Sequence, residues 1–142
     1  MQLPDVDVLV NAFRPDAPRH VAYRAWLEAL VSGERRFAMS DLVLCSVVRI
    51  LTNRKIYQPP EPIAAAFEYA EFIRSRPLCV LVTPGPRHWQ IFSRLCRDGN
   101  VGGGRMSDAY LAALAVEHGC EWITADQQFA RFPGLRWRHP LD

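Results

Sequence analysis

The stretch Leu3-Pro-Asp-Val-Asp-Val-Leu-Val-Asn-Ala-Phe13 governs how the rest of the chain is read. Residues 1–5 form a short strand candidate that ends on an acid. Val8–Phe13 either prolongs that strand or starts a helix, because a short apolar run fits both periods. Beyond it, helical and strand patterns alternate. Asp16 is placed to cap a helix carrying Tyr23, Trp26, Leu27 and Leu30 at helical spacing, with Gly33 ending it. Phe37–Met39 reads as a strand. Ser40 or Asp41 then caps a helix through about Asn53, with Leu44, Val48 and Leu51 on one face. Pro62 suits the first turn of a helix through Arg74, and the β-branched apolar run Leu78–Val82 predicts a buried strand. Pro84 and Pro86 lead into a helix across Trp89–Leu95. A glycine-rich loop from Asp98 to Arg105 precedes a helix from about Ser107 to His118, with Gly119 as its C-cap. Trp122–Thr124 is the next strand, Gln127–Phe132 a short helix and Leu135–Trp137 a last strand. Strands separated by helices of this length predict an α/β fold, a central parallel sheet flanked by helices on both faces. One domain spanning residues 1–142 is expected, since that length suits a single buried core.

Composition excludes several classes of function. No apolar run approaches the roughly 18 residues needed to cross a bilayer. No basic segment followed by an apolar stretch opens the chain, and Asp5 and Asp7 interrupt the apolar residues there, so a cytoplasmic protein is expected. Cys45, Cys79, Cys96 and Cys120 are widely spaced without a C-x-x-C pair, which predicts reduced core cysteines rather than zinc ligands. His20, His88, His118 and His139 form no zinc-hydrolase pattern, and the glycine loop matches neither nucleotide-binding fingerprint. The net charge of +2 is too small to announce a nucleic-acid partner. Lys55 is the only lysine, however, and arginine's planar fork suits phosphate. A genomic base bias would produce the same preference.

Three acids stand where chemistry is expected. In a parallel sheet ligands bind at the carboxyl ends of the strands. Asp5 and Asp126 lie at two such ends, and Asp108 occupies the first turn of the helix after the glycine loop. Gathered in one cleft, these carboxylates would repel one another unless a cation lay between them. Magnesium fits, since it takes a few carboxylate oxygens and keeps waters for substrate phosphate. Each acid also has a structural alternative. Asp5 could be a turn residue, Asp108 could complement a helix dipole, and Asp126 could cap the helix that follows it.

Four segments together resemble the PIN-domain family, and within it the VapC-type toxins of bacterial toxin–antitoxin pairs. The opening L-P-D-V-D-V-L-V-N-A-F is similar to the first PIN motif, with Asp5 at the family's acid and Asp7 where Asn is usual. Val47-Val-Arg-Ile-Leu-Thr-Asn-Arg-Lys-Ile56 resembles the VapC segment containing R-x-x-T-N. Gly102-Gly-Gly-Arg-Met-Ser-Asp-Ala-Tyr-Leu-Ala-Ala-Leu-Ala-Val-Glu-His-Gly119 resembles the segment carrying a second metal ligand, here Asp108. Ile123-Thr-Ala-Asp-Gln-Gln-Phe129 resembles the closing motif, with Asp126 at its acid. The likeness covers nearly the whole chain in the expected order. It departs at Ser46, where many PIN nucleases carry glutamate three residues before the arginine. Asp7 or Asp41 could restore part of that charge.

The resemblance implies a PIN-like fold and a Mg2+-dependent endoribonuclease toxin, with Mn2+ an alternative ion. Asp5, Asp108 and Asp126 would be catalytic, Asp5 and Asp108 as the main metal ligands and Asp126 as a further ligand, direct or through water. Arg49 and Arg105 would bind substrate. The implied partners are an RNA substrate, with tRNA the family's frequent choice, a VapB-like antitoxin, and a second copy of the chain in a homodimer.

Other residues carry weaker signals. Thr124 could orient the Asp126 carboxylate and is equally an ordinary strand residue. Trp26, Trp89, Trp122 and Trp137 are expected in the core. Ile63, Phe67, Tyr69 and Phe72 either close the core or face a partner subunit. Two other readings compete. The sequence Asp5-Val-Asp7-Val resembles the nucleophile motif of haloacid-dehalogenase-type phosphatases, but Lys55, the one available lysine, lies in no matching context. A degenerate PIN domain that binds RNA or a protein without cutting is the alternative suggested by Ser46.

Overall fold

Asp5 ends the first strand and begins the first helix. In the computed structural model, which describes all 142 residues, β1 (Gln2–Pro4) stops where the Asp5 carboxylate accepts the Val6 N–H at 2.6 Å. Helix α1 (Val6–Phe13) follows directly. This cap satisfies a first-turn N–H and decides the ambiguous run in favour of helix, with Val8, Leu9, Val10 and Ala12 buried.

The next helix corrects an expectation. Asp16 is no cap, because Arg14 binds its carboxylate through Nε and Nη2 at 2.9 and 2.8 Å. Helix α2 (His20–Val31) instead begins after Arg19, which sits in the left-handed region at φ 59°. Strand β2 spans Phe37–Met39 as read. Between Ser40 and Asp41 the structure selects Ser40, whose Oγ accepts the Leu42 N–H and starts α3 (Asp41–Leu51). Asp41 pairs with Arg74 at the end of α4 (Ile63–Arg74), and Pro62 occupies the cap position of α4 rather than its first turn.

Strand β3 (Cys79–Leu81) is not the buried strand the apolar run predicts. It lies at the sheet's edge with Leu81 exposed. After α5 (His88–Asp98), a single 3-10 turn at Gly103–Arg105 leads into α6 (Met106–Glu117). Strand β4 is Glu121–Ile123, and a 3-10 helix covers Gln127–Arg131. Strand β5 (Trp137–Arg138) falls at the end of the predicted segment and beyond it.

All strand pairs are parallel. β1 pairs with β4 and β4 with β5; β2 pairs with β3 and packs beside β1. The spatial order is therefore β3-β2-β1-β4-β5. Helix α1 packs on α2 and α3, α3 packs on α4, and α5 packs on α6. The direction of travel reverses between β1 and β4, which opens a crevice beyond their carboxyl ends.

The core is one connected cluster that includes Leu3, Phe37, Met39 and Trp122. Helix α6 contributes Ala109, Ala112, Ala113 and Ala115, small side chains that let it lie close to its neighbours. Two core expectations fail. Trp89 is 70% exposed, its ring tilted against Phe92 with centroids 5.5 Å apart, and of the cysteines only Cys120 is buried while Cys45 is exposed. Ile63, Phe67 and Phe72 also face outward, because α4 turns Ala66, Ala70 and Ile73 inward. Tyr69 alone of the aromatic group is anchored, donating to the Leu9 carbonyl at 2.7 Å.

Candidate active site

Asp5, Asp7, Asp108 and Asp126 line one cleft of about 420 Å³ at the carboxyl ends of β1 and β4. Val6, Val10, Ile50, Leu111 and Phe129 form its apolar walls, and Asn11, Ser46, Arg49 and Ser107 complete the polar lining. The three acids singled out from sequence therefore meet at the crevice that the strand order creates. Asp41 does not join them, since its carboxylate is held by Arg74.

Asp108 and Asp126 also take the structural places that the sequence left open, and Asp5 is a helix cap rather than the turn residue it could have been. Asp5 caps α1 through Oδ1. Asp126 caps the following 3-10 helix, its Oδ1 accepting the Gln128 N–H at 2.9 Å, and Asp108 lies in the first turn of α6. The capping uses one oxygen of Asp5 and one of Asp126, and the second oxygen of each accepts a side-chain donor, Thr124 Oγ1 on Asp5 and Arg105 Nη1 on Asp126.

Thr124 links the two strand ends, in a way the sequence did not reveal. Its hydroxyl donates to Asp5 Oδ2 at 2.6 Å and accepts the Asp126 amide N–H at 3.0 Å. It therefore orients the carboxylate of Asp5 and not that of Asp126, and it is not the ordinary strand residue that the sequence equally allowed. Asp7 is the residue sequence reasoning undervalued. Its Oδ2 accepts the Ala125 N–H at 3.1 Å, while Oδ1 is buried without any hydrogen-bond partner. The only sequence signal was an acid in the place where the family usually has Asn.

Burial followed by the neighbouring charge of Asp7 lifts the Asp5 carboxyl to about 8, against the lowering effect of Thr124 and the Val6 amide. Asp7 rises to about 6 through burial, opposed by its backbone donors, with the charge of Asp126 adding to the rise. These shifts mark a site short of positive charge.

Arg105 supplies part of that charge. One guanidinium nitrogen, Nη1, donates to Asp108 Oδ2 at 2.9 Å and to Asp126 Oδ2 at 3.1 Å. Arg49 stands at the cleft lip, exposed and in no salt bridge. A larger groove of about 920 Å³ at the opposite ends of the strands is lined by Arg35, Arg36, Arg136 and Arg138, and it gathers no comparable group of acids.

The donor set is all oxygen, which suits a hard divalent cation, and the unpartnered Asp7 Oδ1 has a vacant acceptor capacity. As the side chains stand, no three acids are grouped closely enough to enclose an ion. Magnesium does not require that, because one or two carboxylates plus waters and substrate phosphate suffice. The residues fit an ion bound in that open mode.

The family model for the PIN domain matches residues 3–135. The chain is 40% identical to the VapC ribonuclease Mb2897 of Mycobacterium bovis, over 97% of this chain and 94% of that one. The ribonuclease VapC25 of Mycobacterium tuberculosis is 39% identical over 99% of both chains. The chain is a PIN-domain protein of the VapC family. Solved structures share its fold. VapBC2 of Rickettsia felis, bound to a promoter DNA fragment, superposes with a TM-score of 0.71 at 16% identity, covering 97% of each chain. Mycobacterium tuberculosis VapC20, a toxin that cleaves the sarcin–ricin loop, gives 0.62 at 21% identity over 96% of this PIN domain and 99% of that chain. No helix of this VapC-family chain is long and apolar enough to cross a membrane.

Proposed function

We propose that this chain is a divalent-metal-dependent endoribonuclease toxin restrained by a VapB-like antitoxin. The observation that carries the reading is the convergence of Asp5, Asp108 and Asp126, with Asp7, on a single cleft at the sheet's switch point. The curated relatives support it, being named VapC ribonucleases at about 40% identity over nearly their full length.

Asp5 and Asp108 would hold the ion, with Asp126 as a further ligand and Asp7 close enough to share its charge. When bound, the Mg2+ (or Mn2+) neutralises the carboxylates and polarises the phosphodiester. The chain's own residues do the rest. Thr124 fixes the Asp5 carboxylate, Asp126 is locked by the turn it caps, and Arg49 offers unpaired donors to a phosphate at the lip. Arg105 offers the same once it leaves its acids. The apolar walls keep the carboxylates partly desolvated, which strengthens every charge interaction in the cleft.

Transfer RNA is the first substrate to test, and the working state is a cytoplasmic homodimer in the toxin's free form. The decisive experiment incubates the purified protein with total RNA and maps the new ends. Cleavage that needs Mg2+ or Mn2+, stops with EDTA and disappears in Asp108→Asn supports the proposal. Cleavage unaffected by EDTA would overturn the metal assignment. Ser46 favours one other reading, a PIN domain that binds without cutting, and RNA binding without any new ends would establish it.

A further inference from the structure

We infer that Arg105 is a tethered counter-ion of the metal-free cleft, displaced when a divalent cation binds and thereby delivered to the substrate phosphate. This inference rests on the metal-dependent reading above and concerns how this chain manages its own acidic site.

The oxygens held by Arg105 are the ones an ion would need. Asp126 Oδ1 is occupied by the Gln128 amide, so Oδ2 is the oxygen left for the cleft, and Arg105 Nη1 sits on it. The same nitrogen sits on Asp108 Oδ2. A single donor atom thus bridges two carboxylates from different elements, α6 and the turn after β4, where an ion would otherwise neutralise them. That occupancy also gives a reason why no three acids close around a common point.

The grip is weak by construction. The side chains of Arg105, Asp108 and Asp126 are 34%, 28% and 36% exposed, a regime in which ion pairs are strongly screened. No other acceptor holds the guanidinium, since Nε and Nη2 make no hydrogen bond. The preceding backbone is equally unpacked. A Cβ added at Gly102, Gly103 or Gly104 would meet nothing within 4 Å, so no side chain packs over the segment that carries Arg105. Exchange of one positive charge for two, at a site with Asp5 and Asp7 also nearby, favours the divalent ion. The freed guanidinium keeps its five N–H donors at the cleft, where a phosphate approaching the ion would meet them. Arg49 cannot play the first part, because it touches no acid.

The test measures ion binding directly, by Mn2+ titration followed by electron paramagnetic resonance, on the full chain without RNA. Arg105→Ala should bind Mn2+ roughly three- to tenfold more tightly than wild type at low salt, and the gap should narrow as salt is raised. Arg105→Lys, which keeps the charge, should stay near wild type, and circular dichroism should show all three folded. In cleavage assays Arg105→Ala should show a raised KM despite its tighter ion. Equal or weaker Mn2+ binding by Arg105→Ala, with binding still lost in Asp108→Asn, would overturn the exchange and leave the metal site standing. Failure of wild type and Arg105→Ala alike to bind Mn2+ would overturn both.

Discussion

Thr124 Oγ1 donates to Asp5 Oδ2 at 2.6 Å, joining the carboxyl ends of β1 and β4 across most of the chain's length. Both residues are buried, and the same hydroxyl accepts the Asp126 N–H. Thr124→Val keeps the shape and removes both hydrogen bonds, which should cost about 1–3 kcal/mol because a buried oxygen and an amide lose partners. Thr124→Ser should recover most of it. Urea denaturation of the three proteins checks this, and an unchanged midpoint for the valine variant would remove Thr124 from its organising role.

Asp108→Asn should abolish RNA cleavage while lowering stability by no more than about 1 kcal/mol, since the carboxylate's only ion pair is the partly exposed one with Arg105. Thermal melting and an RNA-end assay on the same preparation separate the two effects. Full activity in this variant would count against the assigned site.

Stability of the metal-free protein should fall as pH rises from about 5 to about 8. Asp5 is raised to about 8 and Asp7 to about 6. Between the ordinary carboxylate pKa and these values, the folded state holds protons that the unfolded chain has released. Folding therefore loses ground with each increment of pH in that window. The lowered carboxyls of Asp41 and Glu117 act in the opposite sense, but at more acidic pH. Asp7→Asn removes one of the raised groups. In chelator it should melt higher than wild type near pH 8 and flatten the lower part of the slope. A wild-type melting temperature that climbs over this range would contradict the charge imbalance described for the cleft.

Ser46→Glu would add a carboxylate to a cleft already short of counter-charge. The metal-free variant should melt below wild type near pH 8. Its melting temperature should also rise further on addition of Mg2+, because ligand stabilisation grows with affinity. Equal Mg2+-induced shifts in the two proteins would mean that position 46 does not face the ion.

Much of this was legible in the sequence, and the gaps have physical reasons. Strand β2 begins and ends where read, because Arg36 and Ser40 bracket a three-residue apolar run. Asp5, Asp108 and Asp126 were identifiable because strand ends and a helix start are positions that a parallel sheet brings together. Helix α1 was ambiguous because its cap works through a side chain whose direction periodicity does not encode. Asp16 misled because Arg14, two residues away, competes for the same carboxylate. The apolar content of β3 suggested burial, yet burial depends on which strand ends up at the edge. The strain on Asp7 was invisible for the same kind of reason. It comes from burial of the carboxylate, which leaves Oδ1 without a partner, and the one amide from β4's end that relieves it, Ala125 N–H on Oδ2, lies more than a hundred residues away.

Because Asp5 and Asp126 each spend one oxygen starting a helical turn, alanine substitutions there confound lost folding with lost reaction, whereas amides keep the shape and much of the cap. The same arrangement bears on descent. A lineage that abandoned RNA cutting would still be under pressure to retain both aspartates for architecture. Their presence in a distant sequence would testify to the sheet's end being intact, and not to a working nuclease.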